Sequence, residues 1–488
     1  MPVFRTIRET HDAFDARKIS PSELTKEYLD AIEKSDLNTF ITVCKDRVMA
    51  QAQHADSIFL KHGKVPREQS PLFGIPLGIK DVLTLEGVRT TCASKILENY
   101  IPPYTATAVE RLEKAGALSL GKLNMDEFAM GSSNENSAYG AVKHPTHYDR
   151  VPGGSSGASA AAVKAGLCVA SLGTDTGGSV RLPASYCGLV GVKPTYGRIS
   201  RYGLIAFASS LDQVGTLSNT VEDSALLLQT MSGHDPRDST TAPAEKLNWA
   251  EQLRSLSKKD LNGLRIGVPK EYFGDGLQTE VASAVESTLK WCESKGAKRV
   301  EISLPHTRYS IATYYVVAVS EASSNLARFD GVRYGVRSKE AEEASDLATF
   351  YKKTRSLFGA EVKRRILLGT FALSSGYYEA YYLRACQVRR LIRKDFEDAF
   401  KKVDIIAAPV APTTAFKRGE KVSDPLQMYL MDICTIPASL AGLPALSLPC
   451  GKDKEDLSIG LHLIGPHFGE GRLLETAHFI EKGRGHES

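Results

Sequence analysis

Residues 151–197 constrain this chain more than any other segment. They read VPGGSSGASAAAVKAGLCVASLGTDTGGSVRLPASYCGLVGVKPTYG and contain two serines, Ser155 and Ser179, that have glycines close by. Glycines let a backbone approach a substrate closely and aim several amide N–H groups at one oxygen. A serine in such a loop can attack a carbonyl carbon while neighbouring amides hold the oxyanion. The segment therefore indicates nucleophilic catalysis on a carbonyl compound.

The surroundings of Ser179 favour this chemistry over a flexible Gly/Ser linker. Residues 158–165 are good helix formers and residues 167–172 are typical of a buried strand, and linkers have neither. The strand runs into the tight glycine turn TDTGGS, which ends at Ser179 and exposes its hydroxyl. The predicted oxyanion donors are the amides of Thr176, Gly177, Gly178 and Ser179.

Ser155 lies in a sequence that matches a known motif without its context. Residues 153–157 fit G-x-S-x-G, the nucleophile elbow of the α/β-hydrolases. An elbow needs a buried strand immediately before it, whereas residues 143–150 are polar and interrupted by Pro145. We therefore expect no α/β-hydrolase elbow at Ser155.

Lys80 is the candidate general base, because no histidine stands near Ser179 in the sequence. It ends the apolar run PLFGIPLGIK of residues 71–80. Burial there would disfavour the ammonium form and lower the pKa, which makes a lysine a base near neutral pH. Ser–Lys pairs are a known variant of the catalytic triad. On spacing alone, a strand-end lysine that reaches solvent is the simpler interpretation, and both stay open at this point.

Three motifs together resemble the amidase signature family. They are GIPLGIKD around Lys80, PGGSSGAS around Ser155 and GTDTGGSVRLPA around Ser179, in the order and serine spacing of that family. The resemblance implies the amidase-signature fold and a Ser–cisSer–Lys triad. Ser179 would be the nucleophile, Ser155 the proton-relaying serine with a cis peptide bond, and Lys80 the base. Asp175 and Arg181 flank the nucleophile loop and are interpreted as an ion pair that braces it.

Further motifs along nearly the whole chain point to one branch of this family. They are NMDEFAMGSS (124–133), KPTYGRISRYG (193–203), SSLDQ (209–213), SEASSNLARFDG (320–331), EVKRRI (361–366) and YLMD (429–432). These stretches are similar to the A subunits of the aspartyl/glutamyl-tRNA amidotransferases. The resemblance implies a glutaminase that supplies ammonia to convert Glu-tRNA(Gln) to Gln-tRNA(Gln). Asp-tRNA(Asn) is the alternative or additional substrate.

The same resemblance implies a heterotrimer with B and C subunits, in which the misacylated tRNA binds mainly through the B subunit. ATP and Mg²⁺ are expected at a partner, and no cofactor on this chain. Residues 116–122 satisfy the phosphate-binding pattern G-x-x-x-x-G-K, but Leu123 replaces the Ser or Thr that would hold magnesium. Two alternatives remain: a stand-alone serine amidase of small or peptide amides, and a non-catalytic assembly protein that kept the scaffold.

Three residues fall on the substrate positions of this branch: Tyr314, Arg365 and Asp432. Free glutamine is a zwitterion, so its pocket needs a cation for the α-carboxylate and an anion for the α-ammonium. A guanidinium binds a carboxylate with two parallel hydrogen bonds, which suits Arg365, and Asp432 suits the ammonium. Tyr314 could donate a further hydrogen bond. The neighbours Arg364 and Tyr315 remain alternatives to Arg365 and Tyr314.

Composition excludes several other classes. The 488 residues carry a net charge of +4, which is too small to predict tRNA binding by this chain alone. No apolar run approaches the roughly 18 residues of a membrane span, and residues 1–20 lack the apolar core of a signal peptide. The eight cysteines form no C-x-x-C spacing, which is typical of buried, reduced thiols in a cytoplasmic protein. The eleven histidines include no H-E-x-x-H motif, so no metal is expected.

The chain reads as one α/β domain over residues 1–488. The capping box SPSE at residues 20–23 predicts a helix to about residue 33, and a second helix covers roughly residues 45–61. Apolar runs separated by helices predict a mixed, largely parallel sheet with helices on both faces. A helical subdomain over the mouth of the active site is expected at about 309–402. The strand candidates are residues 77–80, 118–120, 168–172, 189–193, 264–268 and 404–408.

Overall fold

Eleven strands form one sheet in the computed structural model, which describes residues 4–243, 247–256, 260–274, 276–421 and 424–484. The strands are β1 (Phe40–Val43), β2 (Pro76–Lys80), β3 (Leu118–Leu123), β4 (Ala170–Asp175), β5 (Val190–Lys193), β6 (Gln213–Ser218), β7 (Arg265–Pro269), β8 (Lys298–Ile302), β9 (Ile405–Pro409), β10 (Ala445–Lys452) and β11 (Ser458–Ile464). Their order across the sheet is β1-β3-β2-β4-β6-β5-β10-β11-β9-β7-β8. The predicted α/β class is confirmed, and each of the six strand candidates overlaps an observed strand.

The sheet is mixed, as expected, but the expectation that it is largely parallel is wrong. Six of the ten pairings between described strands are antiparallel, and β6, β10 and β11 take part in five of those six. These three strands are not among the candidates predicted from the sequence. A strand that is buried on both faces gives a continuous apolar run in either orientation, so hydrophobic patterning does not encode its direction.

Both faces of the central sheet are covered. Every residue of β2, β3, β4, β5, β6 and β9 is buried, and successive side chains of a strand point to opposite faces. The helices are α1 (Ile7–Asp15), α2 (Pro21–Lys34), α3 (Lys45–His62), α4 (Thr107–Lys114), α5 (Gly157–Lys164), α6 (Arg181–Cys187), α7 (Val221–Met231), α8 (Trp249–Arg254), α9 (Thr279–Ser294), α10 (Ser310–Leu326), α11 (Lys339–Glu342), α12 (Leu347–Arg355), α13 (Ala360–Leu373), α14 (Arg384–Phe400), α15 (Pro425–Leu430), α16 (Ile436–Leu440) and α17 (Glu470–Arg484). Short 3-10 helices cover Lys95–Leu97, Glu127–Ala129, Lys270–Tyr272 and Pro305–Tyr309.

The two helices predicted near the beginning of the sequence start at the predicted residues in the structure. Ser20 caps α2 by accepting a hydrogen bond from the Glu23 amide, and the Glu23 carboxylate accepts one from the Ser20 amide. This is the predicted capping box, with Pro21 as the first helical residue. The second predicted helix is α3.

Residues 309–402 hold helices α10 to α14 and no strand. Within this stretch, residues 343–346 separate α11 from α12. Asp346 caps the start of α12 by accepting a hydrogen bond from the Thr349 amide, so the chain restarts a helix there. That these helices act as a subdomain over the active site stays a prediction.

Three expectations from composition concern thiols, membranes and metals. All eight cysteines are free, seven of them are buried, and Cys386 is half-buried, which agrees with the predicted thiols. Among the described residues, no helix is long and apolar enough to cross a membrane. The same residues contain no group of three or more His, Cys, Asp or Glu side chains placed to hold a metal ion. The absence of a cofactor on this chain stays a prediction.

Candidate active site

Two parallel neighbours in the sheet carry the predicted base and the predicted nucleophile loop. Residues 77–79 of β2 pair with residues 170–172 of β4. Lys80 is the last residue of β2, and the turn to Ser179 begins directly after Asp175, the last residue of β4. The carboxyl ends of neighbouring parallel strands lie at the same edge of a sheet. This edge therefore brings Lys80 beside the nucleophile loop.

The Lys80 amine lies in a fully buried cage of oxygens. Its Nζ is 2.8 Å from Ser155 Oγ, 2.8 Å from Ser156 Oγ and 2.9 Å from Thr174 Oγ1. No described carboxylate lies within ion-pair distance of it. Burial lowers the pKa of Lys80 to about 7, against the long-range attraction of buried aspartates. The structure thus confirms that Lys80 is buried and excludes the solvent-exposed lysine that spacing alone favoured.

These contacts fit a neutral amine that accepts the Ser155 proton. Ser156 Oγ donates its hydrogen to the Thr174 carbonyl at 3.1 Å, so it can only accept from Lys80. Thr174 Oγ1 accepts the second N–H of the amine. The remaining lone pair of Lys80 then faces the Ser155 hydroxyl. Ser156 and Thr174 orient the base, a role that was not predicted from the sequence for either residue.

The Gly154–Ser155 peptide bond is cis, as the family resemblance implies. The Ser155 carbonyl accepts a hydrogen bond from the Asp126 amide at 3.2 Å. The buried Asp126 carboxylate in turn accepts from the amides of Asn134 and Asn136 at 2.9 Å and 3.0 Å. Burial raises the pKa of Asp126 to about 6, although these two hydrogen bonds oppose the rise. The loop around Asp126 therefore holds the backbone of the relay serine.

Ser179 stands at the end of the glycine turn, where it is 8% exposed. Its carbonyl accepts a hydrogen bond from the Ser156 amide at 3.2 Å, which ties the turn to the segment of the relay serine. Its hydroxyl bonds to none of the described residues and is free to rotate. No strand precedes Ser155, so the elbow match at residues 153–157 has no structural counterpart, as expected.

The turn before Ser179 keeps its amides available. The N–H groups of residues 176–179 donate to none of the described residues. The Thr176 hydroxyl donates to Asp212 Oδ1 at 2.7 Å, and Asp212 Oδ2 accepts from the amides of Phe207 and Ala208. Unbonded amides on one rigid turn are what an oxyanion hole requires. Asp212 lies 36 residues beyond Thr176, and no local pattern linked the two.

A buried ion pair braces the loop, as predicted. Arg181 Nη2 lies 2.8 Å from Asp175 Oδ1, and both side chains are fully buried. Burial alone would raise the pKa of Asp175, but the guanidinium holds it below its ordinary value. The same guanidinium donates to the Thr435 carbonyl at 2.9 Å and to Ser439 Oγ at 2.8 Å. The pair therefore joins the nucleophile loop to the chain around α16.

Removing one partner of this pair should destabilise the fold strongly. Asp175→Ala leaves the Arg181 guanidinium buried without its carboxylate, so we expect the free energy of unfolding to fall by about 3–5 kcal/mol. Denaturant unfolding of the purified chain measures this. As a control, Lys394→Ala removes an exposed ion pair with Asp398 and should cost less than about 1 kcal/mol. Equal losses in the two variants would contradict the bracing role.

Tyr314 rests directly on the nucleophile turn. A Cβ on Gly177 would lie only 2.9 Å from the Tyr314 hydroxyl, so this position has room only for glycine. The Tyr314 ring meets Tyr315 edge-on at 5.1 Å, and Tyr315 stacks on Tyr429 at 3.8 Å. The structure therefore places Tyr314, rather than Tyr315, against the turn.

Asp432 touches the same turn from another side. A Cβ on Gly178 would lie 2.7 Å from Asp432 Oδ1. Oδ2 accepts a hydrogen bond from Ser132 Oγ at 2.5 Å, whereas the buried Oδ1 has no partner among the described residues. Burial raises the pKa of Asp432 to about 7. A buried carboxylate oxygen without a partner at the nucleophile turn fits a ligand that brings a positive charge.

Arg365 lies inside the protein, whereas its neighbour Arg364 points outward, with side-chain exposures of 3% and 44%. Its Nε donates to Glu361 Oε1 at 2.8 Å, and Tyr429 donates to the same oxygen at 2.9 Å. The rings of Phe207, Tyr315 and Tyr429 surround its guanidinium at 5.3–5.6 Å. Its two Nη atoms bond to no described residue, so they remain free for an anion. Between the two arginines, the structure favours Arg365.

The titration of the site predicts a rising pH profile. Lys80 is a base only after it loses a proton, and Asp432 attracts an ammonium only after it loses one. Since both pKa values are about 7, log kcat/KM for an ammonium-bearing amide should rise through pH 7 and level off above it. With two required deprotonations the limiting acid slope is about 2. Steady-state rates between pH 5 and 9 measure it, and Asp432→Asn should reduce the slope to about 1. A flat profile would contradict these assignments.

The phosphate-loop match at residues 116–122 has a structural explanation. Lys122 lies in β3 and is fully buried. Its Nζ forms an ion pair with Asp81 Oδ1 at 3.0 Å and donates to Thr90 Oγ1 at 2.8 Å. Lys122 is therefore a buried, ion-paired strand residue and does not lie on a phosphate-binding loop.

Comparison with known proteins shows the family of this chain. Residues 23–474 match the amidase family. The chain is 55% identical over 481 residues to the A subunit of the glutamyl-tRNA(Gln) amidotransferase of Acidobacterium capsulatum, covering 98% of this chain and 99% of that one. It is 53% identical over 479 residues to the corresponding A subunit of Koribacter versatilis, covering 98% of both.

A solved structure gives the same result. The crystal structure of the A subunit of the glutamyl-tRNA(Gln) amidotransferase of Thermotoga maritima is 42% identical in sequence, with a TM-score of 0.78. The match covers 98% of this chain and 94% of that one. The chain therefore belongs to the amidase family and, within it, to the A subunits of the glutamyl-tRNA(Gln) amidotransferases.

Proposed function

We propose that this chain hydrolyses glutamine and supplies ammonia to a tRNA-dependent amidotransferase. The observation that carries the proposal is a pair of opposite charges: Asp432 against the nucleophile turn, and Arg365, whose charge acts on Asp432 and Tyr314. Asp432 has an unpartnered carboxylate oxygen against Gly178, and Arg365 has two Nη atoms that bond to no described residue. This pair complements the ammonium and carboxylate of a free amino acid. Tyr314 adds a hydroxyl against Gly177 of the same turn.

In the first half of the reaction, Ser179 Oγ attacks the side-chain amide carbon of glutamine. The Ser179 proton passes to Ser155 Oγ, whose own proton passes to the neutral Lys80 amine 2.8 Å away. The amides of residues 176–179 stabilise the oxyanion of the tetrahedral intermediate. The ammonium of Lys80 then returns its proton through Ser155 to the leaving nitrogen. Ammonia departs and a γ-glutamyl ester of Ser179 remains.

Water completes the second half of the reaction. Lys80, neutral again, draws a proton from water through Ser155, and the resulting hydroxide attacks the ester carbon. The bond to Ser179 Oγ breaks and the proton returns to that oxygen. Glutamate leaves, and the three residues are restored to their starting protonation states.

The ammonia is consumed on a partner. The related A subunits are named for a glutamyl-tRNA(Gln) amidotransferase, and a subunit by definition works in a complex of several chains. In this proposal B and C subunits complete a heterotrimer, the B subunit holds most of the misacylated tRNA, and ATP with Mg²⁺ binds to a partner. The activated carboxylate of Glu-tRNA(Gln), or of Asp-tRNA(Asn), then takes up the ammonia.

Transamidation by the complex that co-purifies with this chain tests the proposal. Glutamine, ATP and Glu-tRNA(Gln) are supplied, and Gln-tRNA(Gln) is measured, with Asp-tRNA(Asn) in a parallel reaction. Product that depends on both glutamine and ATP is the expected result. If no partner co-purifies and no amidated tRNA forms while small amides are still cleaved, the stand-alone amidase replaces this function.

A further inference from the structure

We propose that Glu127 is a positioning residue that fixes the start of α13 and, through that helix, the Arg365 guanidinium. It would thereby set the affinity for the α-carboxylate of glutamine without taking part in the chemistry. The inference rests on the proposed function, because that function assigns Arg365 to this carboxylate. Neither the sequence motifs nor the family relationship gives Glu127 a role.

Glu127 connects the loop of the relay serine to α13. It is only 4% exposed, and its Oε2 accepts a hydrogen bond from the Gly359 amide at 2.8 Å. Its Oε1 accepts a hydrogen bond from the Ser94 hydroxyl. Gly359 is the N-cap residue of α13, and a Cβ there would overlap Glu127 Oε2. The Glu127 carboxylate therefore binds the amide of the N-cap residue, which the N3 side chain binds in a capping box.

The position of this helix start determines where Arg365 stands. Arg365 is the sixth residue of α13, about 9 Å along the helix from Gly359. Glu361, which holds Arg365 Nε at 2.8 Å, belongs to the same helix. A shift of the start of α13 therefore moves the guanidinium together with its carboxylate support.

Phe128, the residue after Glu127, also packs against the start of α13. The Phe128 ring contacts Phe358 at 5.7 Å and Phe329 at 5.3 Å, and Phe358 directly precedes Gly359. Phe128 has a left-handed backbone, with φ of 50°, which a residue with a side chain adopts only where its surroundings hold it. Its amide donates to the Cys92 carbonyl at 2.9 Å. The backbone thus turns both side chains, Glu127 and Phe128, onto the beginning of α13.

The adjacent residues Asp126 and Glu127 have separate tasks. The Asp126 amide holds the backbone at Ser155, where protons move, while the Glu127 carboxylate holds the helix that carries Arg365, where substrate would bind. A structural defect at this loop would disturb both functions, whereas loss of the Glu127 contact alone should disturb only binding. This difference makes the role of Glu127 measurable.

Catalysis and carboxylate binding can be measured separately with three amides: glutamine, glutaramate and 4-aminobutanamide. Each is assayed with the complex purified with its partner subunits. Glutaramate keeps the α-carboxylate side of glutamine and lacks the ammonium, whereas 4-aminobutanamide keeps the ammonium and lacks the carboxylate. For Glu127→Ala we expect KM for glutamine and glutaramate to rise about tenfold, with kcat within about twofold of wild type. The kcat/KM for 4-aminobutanamide should stay unchanged.

Two more variants each change one partner of the hydrogen bond between Glu127 and the Gly359 amide. Glu127→Gln keeps a carbonyl oxygen for the Gly359 amide, and burial raises the pKa of Glu127 to about 7, so a neutral group suits the site. It should restore most of the affinity. Gly359→Ala keeps the Glu127 side chain, but the added methyl group would overlap Glu127 Oε2 and displace the carboxylate from the start of α13. It should therefore reproduce the effect of Glu127→Ala. It also covers the case in which Glu127→Ala fails to fold.

Glu23→Ala is the matched control. It removes a capping carboxylate from α2, a helix that carries none of the substrate groups, so the melting temperature should fall while all three KM values stay the same. An equal loss for all three amides in Glu127→Ala, or unchanged KM values in both Glu127→Ala and Gly359→Ala, would overturn the inference. If wild type cleaves glutamine and glutaramate no better than 4-aminobutanamide, the proposed substrate itself fails.

Discussion

Ser179→Ala should abolish glutamine-dependent amidation of tRNA and leave amidation with free ammonia intact. Without the hydroxyl no γ-glutamyl ester can form, and the oxyanion amides alone cannot replace a nucleophile. We expect glutaminase kcat to fall by about 10⁴-fold or more, as for nucleophiles in other serine triads. Ammonia release from glutamine and formation of Gln-tRNA(Gln), measured on the same complex, give the two readouts.

Ammonium chloride serves as the internal control for Ser179→Ala. If the partner performs the ATP-dependent step, the variant complex with ammonium chloride should make Gln-tRNA(Gln) at the wild-type rate. This outcome excludes misfolding and failed assembly as causes of the loss. Full glutamine-dependent activity in the variant would instead revive the non-catalytic assembly protein.

Lys80→Met should lose nearly as much activity as Ser179→Ala and still fold. Methionine fills a similar buried volume but offers no lone pair for the Ser155 proton, so kcat should fall by about 10³- to 10⁴-fold. Lys80→Arg should also be inactive, because a guanidinium is not deprotonated in proteins. Glutaminase assays at several pH values make the comparison. Residual activity should keep only the Asp432 ionisation near pH 7, so the limiting acid slope should fall from about 2 to about 1.

Lys193→Met is the matched control for Lys80→Met. Lys193 is likewise buried, and burial lowers its pKa to about 7 as well. It lies in β5, and its Nζ donates to the Pro194 carbonyl at 2.8 Å and bonds to neither catalytic serine. We expect kcat within about threefold of wild type. If Lys193→Met and Lys80→Met were equally inactive, the effect would come from burial of a lysine and not from a base.

The fold could be predicted in class and in part of its detail. Capping at residues 20–23 and apolar runs such as residues 77–80 are local patterns, and the structure reproduces them. The direction of the strands could not be predicted. β10 and β11 pair antiparallel next to β5 and complete the sheet, but a doubly buried strand carries no mark of its orientation.

In the candidate site, too, some features could be predicted from the sequence and others could not. The motifs and their family resemblance singled out Lys80, Ser155 and Ser179 as the candidate triad, and the Asp175–Arg181 pair followed from two charges six residues apart. Local sequence did not reveal the contacts between distant segments. Ser132 and Asp432 lie 300 residues apart, and Glu127 and Gly359 lie 232 residues apart. Each pair meets only because the sheet and helices bring the segments together.

The sequence by itself determined the chemistry available: a glycine turn that can present amides, two serines, and a lysine in an apolar run. These depend on residue type and on neighbours a few positions away. Only the tertiary structure decided that Lys80 is a buried amine with a lowered pKa and not a surface charge, since that pKa depends on desolvation by the whole surrounding fold. It likewise placed Arg365 inside and Arg364 outside, because which of two adjacent helix residues faces the interior depends on where the helix packs.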